Sequence, residues 1–325
     1  MTVELIQGLL LAFAFVVILM PPYIRALRAV GFGKQIRVDG PEAHYVKEGT
    51  PTMGGLLIIV VVVGTYLFLR PPDPATFAPL ATLLLVGGLG AFDDYLNAKT
   101  GEGIRARQKL VWLTIVAFVA AWQIQQTYDI TAIAVPFVGA VSVDPALYVL
   151  FAAFAIVAMA NGVNITDGLD GLAGGTLAFA FVAFMLVALF NFLPQPNLAL
   201  LCSLIIGALL GFLWFNVHPA QIFMGDSGSL ALGATLAVTA LITGQILVLP
   251  LIGIIFVVET LSVILQVGYF KATNGKRIFR MSPIHHHFEL GGWDEEKITI
   301  RFWIVAILAG LLGLTLFLAS VDLLR

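Results

Sequence analysis

Five aspartates stand at the ends of apolar runs: Asp93 and Asp94 in GAFDDY, Asp167 and Asp170 in NITDGLDG, and Asp226 in FMGDSGS. Carboxylates facing a common space are hard oxygen ligands. They suit Mg²⁺, which keeps several waters and takes one or two protein carboxylates plus substrate phosphate. A charged carboxylate toward the bilayer centre costs about 2.5–3.5 kcal/mol on insertion scales, so such residues mark function. The competing reading of any one of them is a helix N-cap, which Asp favours, and Asp226 before Ser227 and Gly228 fits it. Capping does not explain all five. There is no Cys cluster and no H-E-x-x-H, so zinc has no support. Of His285, His286 and His287, at most two meet one metal, because consecutive side chains point in different directions.

The basic partners are Lys47, just before PTMGG (51–55), and Lys109 with Arg105 and Arg107. A phosphate-bearing substrate at a membrane surface needs such point charges; positive-inside topology accounts for most other Lys and Arg. Asn161, Asn164, Asp167 and Asp170 recur at spacings of three, so a helix or tight turn projects all four to one face. Glu259, Ser262 and Gln266 form a polar stripe at i, i+3, i+7, directed to the protein interior. The Gly-rich stretches match neither a dinucleotide fingerprint nor a P-loop, which leaves phosphate binding to metal and Lys.

These residues must be positioned by membrane helices. The 325-residue chain is 60% hydrophobic and 11% charged, with a mean hydropathy of +1.00. Soluble domains carry about 25% charged residues, so a water-surrounded core is excluded. Ten apolar runs approach the roughly 20 residues that span a bilayer: 3–22, 53–69, 78–95, 109–127, 145–161, 172–193, 197–215, 228–244, 246–269 and 302–321. Fifteen of the 17 Lys and Arg fall in 25–50, 93–109 and 271–301. Counting alternate sides places all three segments, with 161–171 and 216–227, in the cytoplasm and both termini outside, leaving Arg70 and Arg325 on the outer side. The first run is not a cleaved signal, since Arg25 and Arg28 follow it rather than precede it. Outside, 129–144 has the β-branched character of a short hairpin, interrupted by Pro136 and Gly139. Gly207 and Gly211, spaced G-x-x-x-G, let two helices approach. Cys202 is packing. The fold expected is a single all-α polytopic domain over 1–325, with its active site on the cytoplasmic face.

Five motifs in order, PTMGG (51–55), AFDDY (91–95), NGVNITDGLDGLAGG (161–175), FMGDSGSLALG (223–233) and SPIHHHFELGGW (282–293), resemble those of the polyprenyl-phosphate N-acetylhexosamine-1-phosphate transferases. The last, with Arg301-Phe302-Trp303, resembles in particular the branch whose donors carry a muramoyl-pentapeptide. The resemblance covers essentially the whole chain. It implies ten transmembrane helices, a homodimer in the bacterial plasma membrane, and Mg²⁺ as cofactor. The reaction it implies is transfer of phospho-N-acetylmuramoyl-pentapeptide from its UDP carrier to undecaprenyl phosphate, giving lipid I and UMP in peptidoglycan synthesis. By the same resemblance Asp226 is the metal ligand and Asp93 and Asp94 are a catalytic pair. Lys47, Thr52, Asn161, Asn164, Asp167, Gly168, Leu169, Asp170, Asn216 and Phe223 line the nucleotide cleft. Lys109 and His285 serve phosphate handling and activity, and His286 and His287 contact substrate. Nucleic acid is not an expected partner.

Two rivals differ in kind. A relative using UDP-GlcNAc shares the Asp motifs but lacks the HHHFE-type loop, which makes 285–289 the discriminator. An ion-coupled transporter shows inverted repeats and midplane polar breaks, whereas the acidic residues here gather at one face.

Overall fold

The computed structural model describes residues 2–33, 47 and 49–322. Its elements run α1 (Thr2–Ala29), α2 (Gly54–Leu69), α3 (Pro74–Thr100), α4 (Ala106–Tyr128), β1 (Ala132–Val135), β2 (Gly139–Ser142), α5 (Pro145–Thr166), α6 (Leu172–Phe190), α7 (Pro196–Asn216), α8 (Gly225–Ile242), α9 (Leu249–Ile252), α10 (Ile254–Ala272), α11 (Ile284–Glu289) and α12 (Glu295–Asp322). Nine of these helices are long and apolar enough to cross a membrane, and α2 is a shorter apolar helix of 16 residues. The chain is an all-α, multi-pass membrane protein, as the apolar runs require.

Local signals set the helix ends. Asp73 Oδ1 accepts from Ala75 N and Thr76 N, and Asp73 N donates to Thr76 Oγ1 in return, a capping box that opens α3 behind Pro74. Asp144 caps α5 ahead of Pro145, its side chain accepting from Ala146 N and Leu147 N. The hairpin forms where expected, with β1 and β2 antiparallel from Ala132↔Ser142 to Val135↔Gly139.

Three boundaries differ from the sequence reading. Residues 93–100 and 106–109 are helical, so the connection expected over 93–109 shrinks to 101–105. The segment 161–171 is helical through Thr166. Both reflect helices that continue past the apolar stretch, because backbone groups near the interface still need partners. The apolar run 246–269 is broken: Pro250 opens the single-turn α9 and Gly253 separates it from α10. Most of 25–50 and Arg325 lie outside the described residues.

Lipid gives no hydrophobic drive between helices, so close approach through small residues carries the packing. A Cβ on Gly207 would meet the Leu9 carbonyl, and one on Gly211 would meet Val16 and the Phe13 carbonyl. The G-x-x-x-G pair therefore seats α1 on α7 within the chain. Cys202 is fully buried on the same helix. Helix α8 sits at the centre, packed by α2, α3 and α5, with α4 and α6 touching it and α12 closing on α6. The ends of α3 and α5 and the starts of α4 and α8 meet at one end of the bundle. The hairpin and the Arg70–Glu4 ion pair, 3.0 Å, lie at the other.

Candidate active site

The first turn of α8 is held from two sides. Gly54 N donates to Phe223 O (2.8 Å), Gly55 N to Met224 O (2.9 Å), and Phe223 N to Pro51 O (2.8 Å), so PTMGG and FMGDSGS form one paired unit. A Cβ on Gly55 would run into the Gly228 backbone, which is why both motifs need glycine there. From α3, Asp94 accepts from Asp226 N and Ser227 N, each at 3.0 Å. It caps α8 in trans, satisfying N–H groups that a helix start leaves open. Thr52 Oγ1 and Asp94 both crowd the inner side of Gly225, whose φ is +75°.

Asp93, one residue earlier and about 100° around the helix, faces elsewhere. Its Oδ1 accepts from Ile104 N, and its Oδ2 accepts from Lys109 Nζ at 2.7 Å. Lys109 Nζ also donates to Asp226 Oδ2 at 2.5 Å. Asn164 Nδ2 holds the other Asp226 oxygen at 2.8 Å and reaches Ser229 Oγ at 2.9 Å. So the two adjacent aspartates have different partners. Asp93 pairs across helices with Asp226 through one ammonium, and Asp94 supports the backbone beneath them. Asp226 is 22% exposed and Asp93 5%, which leaves Asp226 open on one side.

A second cluster lies alongside. Lys47 Nζ donates to Asp170 Oδ1 (2.7 Å) and Glu295 Oε1 (2.6 Å), while His218 Nδ1 lies 3.0 Å from Asp170 Oδ2. Glu295 Oε1 also accepts from Asp170 N, and Thr299 Oγ1 donates to Asp170 O. The 161–170 set therefore does not converge on one face. Asn164 turns to Asp226 and Asp170 to Lys47, while Asn161 bonds back to Val157 O in its own helix (2.8 Å). The end of α5 at Thr166 breaks the three-residue periodicity. Asp167 sits at the C-cap, with its N–H donating to Val163 O and Asn164 O. Leu169 is buried against Leu172 and Ile298.

Sequence reasoning missed Glu295 and His218; the one available signal was the acidic DEE just past the His run. Asp170, His218 and Glu295 offer ligand atoms within 4.8 Å of one another, the only such metal-capable group among the described residues.

Asn216 joins this turn to the 217–224 segment, accepting from Gly171 N (3.0 Å) and donating to Ile222 O (2.9 Å). Both halves of its amide are engaged with backbone. Replacing Asn216 by Ala orphans two buried groups at about 1–3 kcal/mol each. A drop in the detergent melting midpoint on the order of 5 °C is expected. Unchanged melting with lost nucleotide affinity would instead mean that Asn216 acts on the ligand directly.

The three consecutive histidines have three different partners. His285 Nδ1 faces Glu259 Oε2 (3.1 Å), His286 Nδ1 faces Glu289 Oε2 (2.5 Å), and His287 Nδ1 accepts from Arg280 N (3.1 Å). They share no single metal position. The loop is closed by Phe288 stacked on Trp293, ring centroids 4.8 Å apart, with Arg301 over the same indole at 4.2 Å. Trp303 Nε1 donates to Gly171 O, tying α12 to the 167–171 turn.

Comparisons with known proteins agree with this assembly of motifs. Residues 76–244 match Glycosyl transferase family 4, and residues 47–59 match phospho-N-acetylmuramoyl-pentapeptide-transferase signature 1. The phospho-N-acetylmuramoyl-pentapeptide-transferase of Desulfotalea psychrophila is 44% identical, over 96% of this chain and 92% of its own. That of Desulfosudis oleivorans is 45% identical over 97% and 92%, and that of Caldanaerobacter subterraneus 46% over 94% and 96%. The signature covers Lys47, Thr52 and the PTMGG turn that pairs with FMGDSGS, and the broader match contains Asp93, Lys109, Asn164 and Asp226. At 44–46% identity over nearly the full length of each relative, the chain belongs to the phospho-N-acetylmuramoyl-pentapeptide-transferase family.

Proposed function

We propose that this membrane enzyme transfers phospho-N-acetylmuramoyl-pentapeptide from UDP-N-acetylmuramoyl-pentapeptide to undecaprenyl phosphate at the cytoplasmic face, giving lipid I and UMP. The observation that carries the reading is the Asp93–Lys109–Asp226–Asn164 constellation at the end of a bundle whose sides are apolar. The acceptor's hydrocarbon stays in lipid while the nucleotide stays in water, so reaction is confined to that end. An oxygen of the acceptor phosphate attacks the sugar-bearing phosphorus, the bond to the bridging oxygen breaks, and UMP departs. A phosphate monoester is largely ionised near neutral pH, its second pKa being about 6, so positioning and charge neutralisation suffice without a covalent intermediate.

The donor set fits Mg²⁺. Asp226 and Asp93 offer hard oxygens, and with Lys109 they sum to one negative charge. Asp226 would hold the ion, and when bound it neutralises charge on the pyrophosphate. Lys109 holds the two carboxylates in register and presents a cation to phosphate, and Asn164 fixes the Asp226 rotamer. The 167–171 turn with Lys47, Asp170 and Phe223 serves the nucleotide. The family's homodimer is part of the proposal, on a surface other than the α1–α7 glycine seam. Purified protein with undecaprenyl phosphate and Mg²⁺ should release UMP from UDP-N-acetylmuramoyl-pentapeptide and not from UDP-GlcNAc. UMP release from UDP-GlcNAc alone would replace this reading with the GlcNAc-1-phosphate relative.

A further inference from the structure

The polar stripe on α10 reaches the site described above only through Glu259, and it is enclosed along its length. Glu259 is 0% exposed, Ser262 3% and Gln266 7%. Gln266 ties down the loop that follows. Its Oε1 accepts from Ile278 N and Phe279 N, and its Nε2 donates to Phe279 O, all at 3.0 Å. One turn nearer the start of α10, Ser262 Oγ donates to Glu259 O at 2.7 Å. The Glu259 carboxylate then meets His285, which is 1% exposed, with Oε2 3.1 Å from Nδ1. That contact is close but not aligned as a hydrogen bond, and neither Glu259 oxygen nor either His285 nitrogen has another partner. An isolated buried carboxylate costs several kcal/mol. Packing alone gives no reason to retain one there.

The ring's other edge lies on the nucleotide turn. A Cβ on Gly168 would fall on His285 Nε2 and Cε1, so only glycine admits the imidazole at that point. A carboxylate at one ring nitrogen selects the tautomer and orientation of the ring, and so decides what the other nitrogen offers.

We infer that Glu259 is a positioning residue for His285: its carboxylate, facing Nδ1, sets the ring orientation and so holds the Nε2 edge against the 167–170 turn that the donor occupies. This rests on the transferase reading, and wild-type UMP release in the same assay tests that reading separately. The experiment compares Glu259→Gln, Glu259→Asp, His285→Ala and the Glu259→Gln/His285→Ala double variant, measuring kcat, donor KM and detergent melting. Glu259→Gln, isosteric, should lower kcat by roughly 10²-fold, with donor KM within about twofold and melting unchanged. The double variant should be no slower than His285→Ala, and Glu259→Asp should recover part of the rate. Near-normal turnover in Glu259→Gln, losses that multiply in the double variant, or a fall in melting that accounts for the lost rate would each overturn the assignment.

Discussion

Asp226→Asn should reduce turnover by about 10³-fold or more, the scale on which charge-stabilising groups act in such sites. The amide keeps the side chain's size and can still accept from Lys109, so folding and melting should stay close to wild type. What it removes is the charge, in a site where one or two carboxylates are all that Mg²⁺ takes from protein. With Asn at 226 the local sum of Asp93, Lys109 and residue 226 rises from −1 to zero, and the attraction for a divalent cation goes with it. Raising Mg²⁺ should recover little. The check is UMP release against Mg²⁺ concentration, with the melting curve as control. Turnover near wild type at ordinary Mg²⁺ would remove Asp226 from the metal site.

The residues that meet at this site were legible because a bilayer makes polar groups conspicuous. Asp93, Lys109, Asn164 and Asp226 stand out against apolar runs. The sequence does not show which of them pair, since Lys109 joins Asp93 to Asp226 across more than one hundred residues of chain. Nor does it separate Asp93 from Asp94. Adjacent letters suggest one function, while helical geometry sends one side chain to Lys109 and the other to the α8 backbone. Nine of the ten expected spans, found among the described residues, and the hairpin followed from apolar length and β-branched spacing, while the second run forms a helix of only 16 residues. The break at Gly253 did not, because a single turn opened by Pro250 is as apolar as the helix it interrupts. Glu295 is one of three consecutive acidic residues, and only the folded chain brings it to Lys47 and Asp170.

That separation of neighbouring aspartates has its own test. Asp94→Ala should cost both stability and activity, whereas Asp93→Asn should cost activity alone. Asp94 accepts two backbone N–H groups in a position 6% exposed, and hydrogen bonds to a charged acceptor contribute about 1.5–3 kcal/mol each. Alanine leaves Asp226 N and Ser227 N without their cap and frees the turn that aims the Asp226 side chain. Melting in detergent should fall by roughly 5–10 °C, and the surviving folded fraction should still be slow, because Asp226 is no longer held against Asn164 and Lys109. Asp94→Asn keeps one acceptor oxygen and should fall between wild type and Ala on both measures. Asp93→Asn keeps an oxygen for Ile104 N and gives up only the contact with the partly exposed Lys109, so its melting should hold while kcat and kcat/KM drop together, the mark of an interaction made in the transition state. If Asp94→Ala melts like wild type yet is inactive, Asp94 meets substrate itself, and the two aspartates form a catalytic pair after all.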